Sequence, residues 1–176
     1  MSEQQAPSIS PEYAELLAQL RAFVFDEPGA VDCFSRRLAK EQRWSRRFTL
    51  RAIEEYRKFI FIWLVTGEEV APSLIVDKVW HLHLQFTESY WHKLCRDLLK
   101  KELHHKPSDG SAADRANCGA LYRSTLERYR TFFGEPPWDI WNIPPRDLNE
   151  LGRRMGQVLL SWLEAAAPWG KYPWRF

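Results

Sequence analysis

Residues 52–67 read Ala-Ile-Glu-Glu-Tyr-Arg-Lys-Phe-Ile-Phe-Ile-Trp-Leu-Val-Thr-Gly, and this stretch is the strongest indicator of fold class in the chain. Its second half, 59–65, is apolar at every position, which is typical of either a buried strand or a central helix. Residues 52–58 lead into it without a turn signal, and Gly67 follows where helices commonly end. We therefore expect one long, central helix that begins at Ser45 or Arg47 and ends at Thr66.

Apolar residues recur with helical spacing on the amino-terminal side of this stretch. Ser10 can cap a helix whose first residue is Pro11, a position where the missing proline N–H costs nothing. The sequence Glu-Pro-Gly at 27–29 is expected to stop that helix. A second, shorter helix is expected over residues 31–43.

A further helix is expected to open at Pro72-Ser73. It could continue unbroken to Lys101, a length of about 40 Å. The alternative is a break near Phe86, because Thr87 can cap a new helix.

The carboxyl-terminal third alternates helical patterns with proline-rich chain. A loop over 104–111 is followed by a helical stripe over 118–133. Four prolines in 134–145 exclude regular helix there, and the tryptophans and isoleucines between them predict an ordered strap laid on the helices. A last helix is expected over 148–167, followed by an aromatic tail at 168–176.

No stretch shows the period-2 alternation of a strand, and no Asn-Gly or Asp-Gly turn lies between two apolar runs. The expected fold is therefore all-α, an irregular bundle of about six helices with a Pro/Trp-rich strap and an aromatic carboxyl-terminal tail. The chain has no internal repeat and no long linker, so we expect a single helical domain over 1–176.

Composition limits the function classes. The chain has 176 residues, of which 45% are hydrophobic and 27% charged, which is typical of a globular protein and excludes disordered or collagen-like classes. The net charge of +2 gives no global reason to expect a polyanionic partner. The longest strongly apolar run, 59–65, is far shorter than the roughly 20 residues of a membrane span.

Location is predicted from the cysteines and the amino terminus. Three widely spaced cysteines include no C-x-x-C pair, which favours free thiols in a reducing compartment. Residues 1–11 are polar and lack the basic and apolar regions of a secretory signal. We expect a cytoplasmic protein.

All five histidines lie between residues 81 and 105, close to Asp77, Glu88 and Cys95. Zinc is normally held by four such groups, namely imidazole nitrogen, thiolate sulfur and carboxylate oxygen, in a tetrahedron. The sequence therefore predicts a divalent metal site, zinc-like, for structure or catalysis. The candidate ligands are Asp77, His81, His83, Cys95, His104 and His105.

Helix geometry restricts which of these residues can share an ion. His81 and His83 are about 200° apart on a helix, so one is expected to face a site and the other a neighbouring element. His81 and Cys95 are about 20 Å apart on a straight helix and could meet only if the chain folds back near Phe86. The loop carrying His104 and His105 could return to supply further ligands. On a continuous helix Cys95 would also share a polar stripe with Asp77, His81, Glu88 and His92.

Two alternatives to a metal are open at this point. The cluster could be a hydrogen-bonded structural feature, or Cys95 could act as a thiolate nucleophile with a nearby histidine as its base. The candidate catalytic residues are His81, Cys95 and Tyr90, with Asp77 orienting His81. No G-x-S-x-G, Walker A, Rossmann glycine pattern or H-E-x-x-H is present, so the sequence does not decide whether the protein is an enzyme.

A basic stretch predicts a second type of function. Residues 36–58 contain nine Lys or Arg against three Glu, with Trp44 and Phe48 among them. This pattern fits either a solvated helix face with salt bridges or a surface for an acidic protein, whereas a pI near 8.5 disfavours nucleic acid. The alternative to a metal site is therefore a non-enzymatic interaction module. Its candidate partner-binding residues are Arg36, Lys40, Arg43, Arg47 and Arg51.

Tryptophans concentrate at the carboxyl terminus. Five of the nine fall in the final 39 residues, at 138, 141, 162, 169 and 174. Large rings dominate core and interface energetics, so this region either packs on the bundle or offers a partner surface.

Several motifs resemble one family. Glu55-Tyr-Arg-Lys-Phe, Val76-Asp-Lys-Val-Trp-His-Leu-His83, Tyr90-Trp91 and Phe133-Gly-Glu-Pro-Pro137 are similar to the conserved amino-terminal region of glycine-rich domain-containing proteins of plants and fungi and their bacterial relatives. The similarity covers roughly residues 50–142. The glycine-rich carboxyl-terminal part of the plant proteins is lacking here.

The resemblance implies a common site but no particular activity. It groups Asp77, His81, His83, Tyr90 and Cys95. Relatives often carry proline near the position of Thr87, which favours the helix break.

Overall fold

A computed structural model describes residues 10–27, 29–106 and 111–141. Within these ranges all regular structure is helical and no strand occurs, which confirms the predicted all-α class. The predicted helix over 148–167 and the aromatic tail lie outside the described residues. None of the described helices is both long and apolar enough to cross a membrane. The elements are α1 (Pro11–Ala22), α2 (Phe34–Gln42), α3 (Arg46–Thr66), α4 (Leu74–Gln85), a π-helix (Glu88–Leu99), α5 (Ala112–Phe133) and α6 (Trp138–Trp141).

Helix α3 is the centre of the bundle, as its sequence predicts. The Ser45 hydroxyl accepts a hydrogen bond from the Phe48 N–H at 3.2 Å and caps its start. Gly67 ends it with a φ of 64°, a conformation that costs glycine little. Helices α1, α2, α4 and α5 all pack against α3. Its fully buried apolar side chains are Ala52, Tyr56, Phe59, Ile60, Phe61 and Ile62.

Helix α1 is shorter than predicted because a distant residue ends it. The guanidinium of Arg57 on α3 donates to the carbonyls of Leu20 and Phe23, each at 2.9 Å. The Leu20 carbonyl also accepts from the Phe23 N–H at 3.3 Å, so Arg57 adds a second donor there and supplies a donor to the Phe23 carbonyl beyond the helix. The helix therefore stops at Ala22, several residues before the predicted stop at 27–29.

Helix α2 begins at Phe34 rather than at residue 31, again because of a contact outside the helix. The Asp26 carboxylate accepts from the Ser35 N–H at 2.7 Å and from the Ser35 hydroxyl at 2.6 Å. A carboxylate at a helix N-terminus also interacts favourably with the helix dipole. The N-cap residue itself, Cys33, forms no side-chain cap bond. Asp26 therefore caps the helix in its place.

The predicted long helix over 72–101 is broken, as the alternative interpretation held, although Thr87 forms none of the predicted side-chain cap bonds. Helix α4 ends at Gln85, and Phe86 has φ −87° and ψ 64°. The chain turns there, so that the Trp80 indole N–H donates to the Tyr90 hydroxyl at 2.9 Å. On a straight helix these two residues would be about 15 Å apart along the axis.

Residues after the break wind as a π-helix, with i→i+5 hydrogen bonds such as that from the Lys100 N–H to the Cys95 carbonyl. Its buried residues, Tyr90, Leu94, Cys95 and Leu99, follow this wider spacing. His92 is exposed while Cys95 is buried. The predicted polar stripe joining these two residues assumed continuous α-helix and is wrong.

A buried carboxylate joins α3 to the carboxyl-terminal elements. Glu55 Oε1 accepts from Lys58 Nζ at 2.8 Å, and Oε2 accepts from the Tyr129 hydroxyl at 2.8 Å and from Trp141 Nε1 at 2.7 Å. Burial, reinforced by the Glu55 charge, raises the pKa of Tyr129.

The Ser111 hydroxyl caps α5 by accepting a hydrogen bond from the Asp114 N–H.

The described part of the strap, 134–141, packs on the helices as predicted. Ile140 and Trp141 are buried, whereas Trp138 is exposed. The strap is not wholly irregular, because 138–141 form the single helical turn α6. That turn is possible because the prolines at 136 and 137 precede it, where missing N–H donors cost nothing.

Replacing Glu55 by Ala is expected to lower the free energy of unfolding by about 3 kcal/mol or more, because buried donors on Tyr129 and Trp141 lose their acceptor. Urea unfolding followed by circular dichroism measures this loss. The matched control is Glu54→Ala, which removes half-exposed ion pairs to Arg21 and Arg57 and should cost less than about 1 kcal/mol. Similar losses in the two variants would contradict the structural role of Glu55.

Candidate metal centre

Three side chains converge beside α4, two of them from that helix and one from the segment 100–106. His105 Nε2 lies 2.9 Å from Asp77 Oδ1 and 3.1 Å from His81 Nε2. His81 Nε2 lies 3.5 Å from Asp77 Oδ2. Two imidazole nitrogens and a carboxylate therefore point at one another, in a combination that suits a divalent metal ion. We call Asp77, His81 and His105 the triad.

Two of the three residues are placed by helix α4 itself. Asp77 and His81 are separated by four residues, the spacing that puts side chains on the same helix face. The Ser73 hydroxyl caps α4 by accepting from the Val76 N–H at 3.1 Å. The helix start is thus fixed one turn before Asp77.

His105 is placed by the fold-back of the chain. It lies beyond the π-helix, in the segment 100–106, whose Leu103 carbonyl accepts a hydrogen bond from the Tyr90 hydroxyl. The His105 ring also contacts the Trp80 ring edge to face, with centroids 4.5 Å apart. These two contacts bring His105 against α4.

The three triad residues can offer one ligand atom each within 4.8 Å of the others, which is close enough for a single metal ion. A tetrahedral ion with ligand distances of about 2.0–2.2 Å separates its ligand atoms by about 3.4 Å. His105 Nε2 lies 2.9 Å from Asp77 Oδ1 and 3.1 Å from His81 Nε2, so these two separations need only small side-chain shifts to reach that value.

One side of the triad is open to water. The side chains of Asp77 and His105 are 17% and 16% exposed, whereas that of His81 is 43% exposed. Three protein ligands with an open direction resemble catalytic zinc sites, since structural zinc sites normally have four protein ligands. The arrangement therefore suits exchange of water or a small molecule at the open position.

His83 is a candidate ligand that the structure places elsewhere. It is fully buried, its Nδ1 lies 3.2 Å from the Tyr56 hydroxyl, and its Nε2 lies 3.0 Å from the Ser89 hydroxyl. Burial lowers the pKa of His83 to about 3, so the ring is neutral. The two histidines of the H-x-H sequence thus point to different surroundings. The rings that pack around His83 are Phe23, Phe25, Phe34, Tyr56 and Tyr90.

Cys95 and Tyr90 lie under the segment 100–106 rather than in the triad. Cys95 is buried, and burial raises the pKa of its thiol, which disfavours the thiolate needed for a nucleophile or a zinc ligand. The Tyr90 hydroxyl is committed to Trp80 and Leu103, and burial raises its pKa. Tyr90 is therefore a positioning residue for His105.

His104 also points away from the triad. Its Nε2 lies 2.9 Å from a Glu102 carboxylate oxygen, and its side chain is 70% exposed. The ring lies against Trp91, with centroids 5.6 Å apart. Neighbours in sequence, His104 and His105 thus have different surroundings, because alternate positions of an extended segment face opposite sides.

The candidate partner-binding residues lie apart from the triad, on α2 and the start of α3. Arg36, Lys40, Arg43 and Arg47 are exposed. Arg51 forms a two-pronged ion pair with Asp139, at 2.6 and 2.8 Å. The tryptophans at 162, 169 and 174 lie outside the described residues.

Of the groups that support the triad, the sequence identified Tyr90 but not Trp80 or the Leu103 carbonyl. Trp80 is visible within the Val76–His83 motif, but nothing in the sequence marks it as the ring against His105. The Leu103 carbonyl is a backbone group, and no residue pattern signals its role.

Comparison of the chain with protein-family models, with curated proteins and with solved structures finds no match. The resemblance to glycine-rich domain-containing proteins therefore stays a prediction.

The neutral state of His83 predicts a pH dependence of stability. Between its native pKa of about 3 and the ordinary value of 6.5, the unfolded chain binds a proton that the native protein excludes. The free energy of unfolding therefore falls as pH decreases across this range, by up to about 1.4 kcal/mol per pH unit. Urea unfolding in EDTA at several pH values should give a shallower slope for His83→Gln than for the unmodified protein.

The control for this experiment is His92→Gln, which changes an exposed histidine and should retain the slope of the unmodified protein. Parallel stability curves for the His83 variant and the unmodified protein would contradict a neutral, buried His83.

Proposed function

We propose that this protein binds a divalent metal ion, best fitted by zinc, through Asp77, His81 and His105. The observation that carries the proposal is the convergence of three ligand atoms, one from each residue, within 4.8 Å of one another at an open surface. Two imidazoles and one carboxylate form a ligand set known for zinc with a free coordination position. Two of these ligands, Asp77 and His81, are also among the residues that the family resemblance groups into one site.

The ligand count favours a reactive site over a purely structural one. Three ligands leave a position for water or for an oxygen of a substrate, and a bound zinc ion would act there as a Lewis acid. The chain's own residues do the holding. Asp77 and His81 are presented by one helix, and Tyr90, Trp80 and the Leu103 carbonyl fix His105.

Zinc binding to the full chain can be measured by isothermal titration calorimetry after dialysis against chelator. We expect one equivalent of zinc, and a loss of affinity of about tenfold or more for each of Asp77→Ala, His81→Ala and His105→Ala. Zinc should also raise the melting temperature of the unmodified protein, because it binds only the folded triad.

The matched controls are His104→Ala and His92→Ala, which remove exposed imidazoles outside the triad and should leave zinc affinity within about twofold. A third comparison is Cys95→Ala, which should lower stability while leaving the stoichiometry unchanged. The proposal is wrong if zinc does not bind, or if the histidine controls weaken binding as much as the triad variants do.

A further inference from the structure

Every acidic residue of the basic stretch forms an ion pair, and none of these ion pairs involves a candidate partner-binding residue. Glu41 pairs with Arg37 at 2.7 Å, and Glu55 pairs with Lys58 at 2.8 Å. Glu54 pairs with Arg21 and Arg57. The salt bridges expected for a simple solvated face are therefore present, but they do not neutralise the rest of the stretch.

Five exposed basic residues have no carboxylate partner within the described ranges. Arg36 donates to the backbone carbonyl of Val31, which leaves its charge uncompensated. Arg51 does not belong to this set, since Asp139 holds it in an ion pair. We call the set the basic face; its members are Arg36, Lys40, Arg43, Arg46 and Arg47.

Two members of the basic face have a defined spacing. On α2, Arg36 and Lys40 lie on the side opposite the buried Phe34 and Leu38, one helical turn apart. Their separation along the axis is about 6 Å. Alternate residues of an extended chain project to the same side about 6.6 Å apart. An extended segment with acidic residues at alternate positions therefore matches the spacing of Arg36 and Lys40.

A cavity of about 300 Å³ lies beside the basic face, between α2 and the start of α3. Arg36 and Arg46 border it, with Ala39 and Thr49 among its lining residues. Asp26 also lines it, but both of its carboxylate oxygens already accept hydrogen bonds from Ser35. The surface is thus concave as well as basic, which favours a bound chain segment over diffuse attraction.

We propose that the basic face binds an extended acidic segment of a partner protein, with Asp or Glu at alternate positions. The uncompensated cations, the spacing of Arg36 and Lys40, and the concave surface beside them support this partner. The net charge of +2 and the pI near 8.5 favour an acidic peptide over nucleic acid, because nucleic-acid-binding domains are usually more basic. This inference is independent of the metal site.

The probe is a fluorescent peptide of about nine residues with Glu and Ser alternating, titrated with the full chain at low ionic strength and followed by anisotropy. We expect binding that weakens as salt is added. Lys40→Glu combined with Arg47→Glu should weaken it by about tenfold or more. The control, Arg96→Glu with Arg123→Glu, makes the same charge change on exposed residues elsewhere and should retain affinity within about twofold.

Two further probes test the spacing and the class of partner. A peptide of the same composition with its Glu residues in one block should bind several-fold more weakly than the alternating peptide. Equal binding of the two peptides, or equal weakening by the control variant, would overturn the proposal. It would also be overturned if a single-stranded oligodeoxynucleotide of equal charge bound the basic face more tightly than the alternating peptide did. Circular dichroism of each variant ensures that a loss of binding is not a loss of fold.

Discussion

The Tyr90 hydroxyl forms the pair of hydrogen bonds on which the candidate site depends. It accepts from the Trp80 indole on α4 and donates to the Leu103 carbonyl beyond the π-helix. All three residues are at least 95% buried, so these bonds form where water does not compete for them. Because they join α4 to the segment 100–106, they determine where His105 lies relative to Asp77 and His81.

Two adjacent polar residues of helix α3, Glu55 and Tyr56, connect it to the elements around the candidate site. Glu55 binds Tyr129 and Trp141, which holds α5 and α6, whereas Tyr56 contacts His83 on α4. Burial raises the pKa of Tyr56 well above its ordinary value, so it remains a neutral phenol. The adjacent Glu55 and Tyr56 thus have structural roles, since each residue satisfies polar groups on a different neighbouring element.

Features written in local sequence could be predicted. The caps Ser10, Ser45 and Ser73 and the stop at Gly67 depend on neighbouring residues alone, and the structure has all four. The end of α1 could not be predicted, because it depends on Arg57, which is more than 30 residues away from the carbonyls it binds. The same holds for the contribution of Asp26 to the start of α2.

The sequence predicted the residue types and the region of the candidate site, but not which residues form it. Clustering of histidines between residues 81 and 105 pointed to the correct region, and helix geometry separated His81 from His83. Which loop histidine joins α4 depends on the turn at Phe86 and on the π-helical winding that follows it, and spacing rules for the α-helix do not describe either. Cys95 is therefore buried under the returning segment, and His105 is the third member of the triad.

X-ray absorption spectroscopy of the zinc-loaded protein tests the account most directly, because it reports the ligand atoms themselves. The account predicts a first shell of nitrogen and oxygen at about 2.0–2.2 Å, with outer-shell scattering from two imidazole rings and no sulfur. A zinc–sulfur distance of about 2.3 Å would contradict it, since that would place Cys95, rather than the Asp77, His81 and His105 triad alone, at the metal.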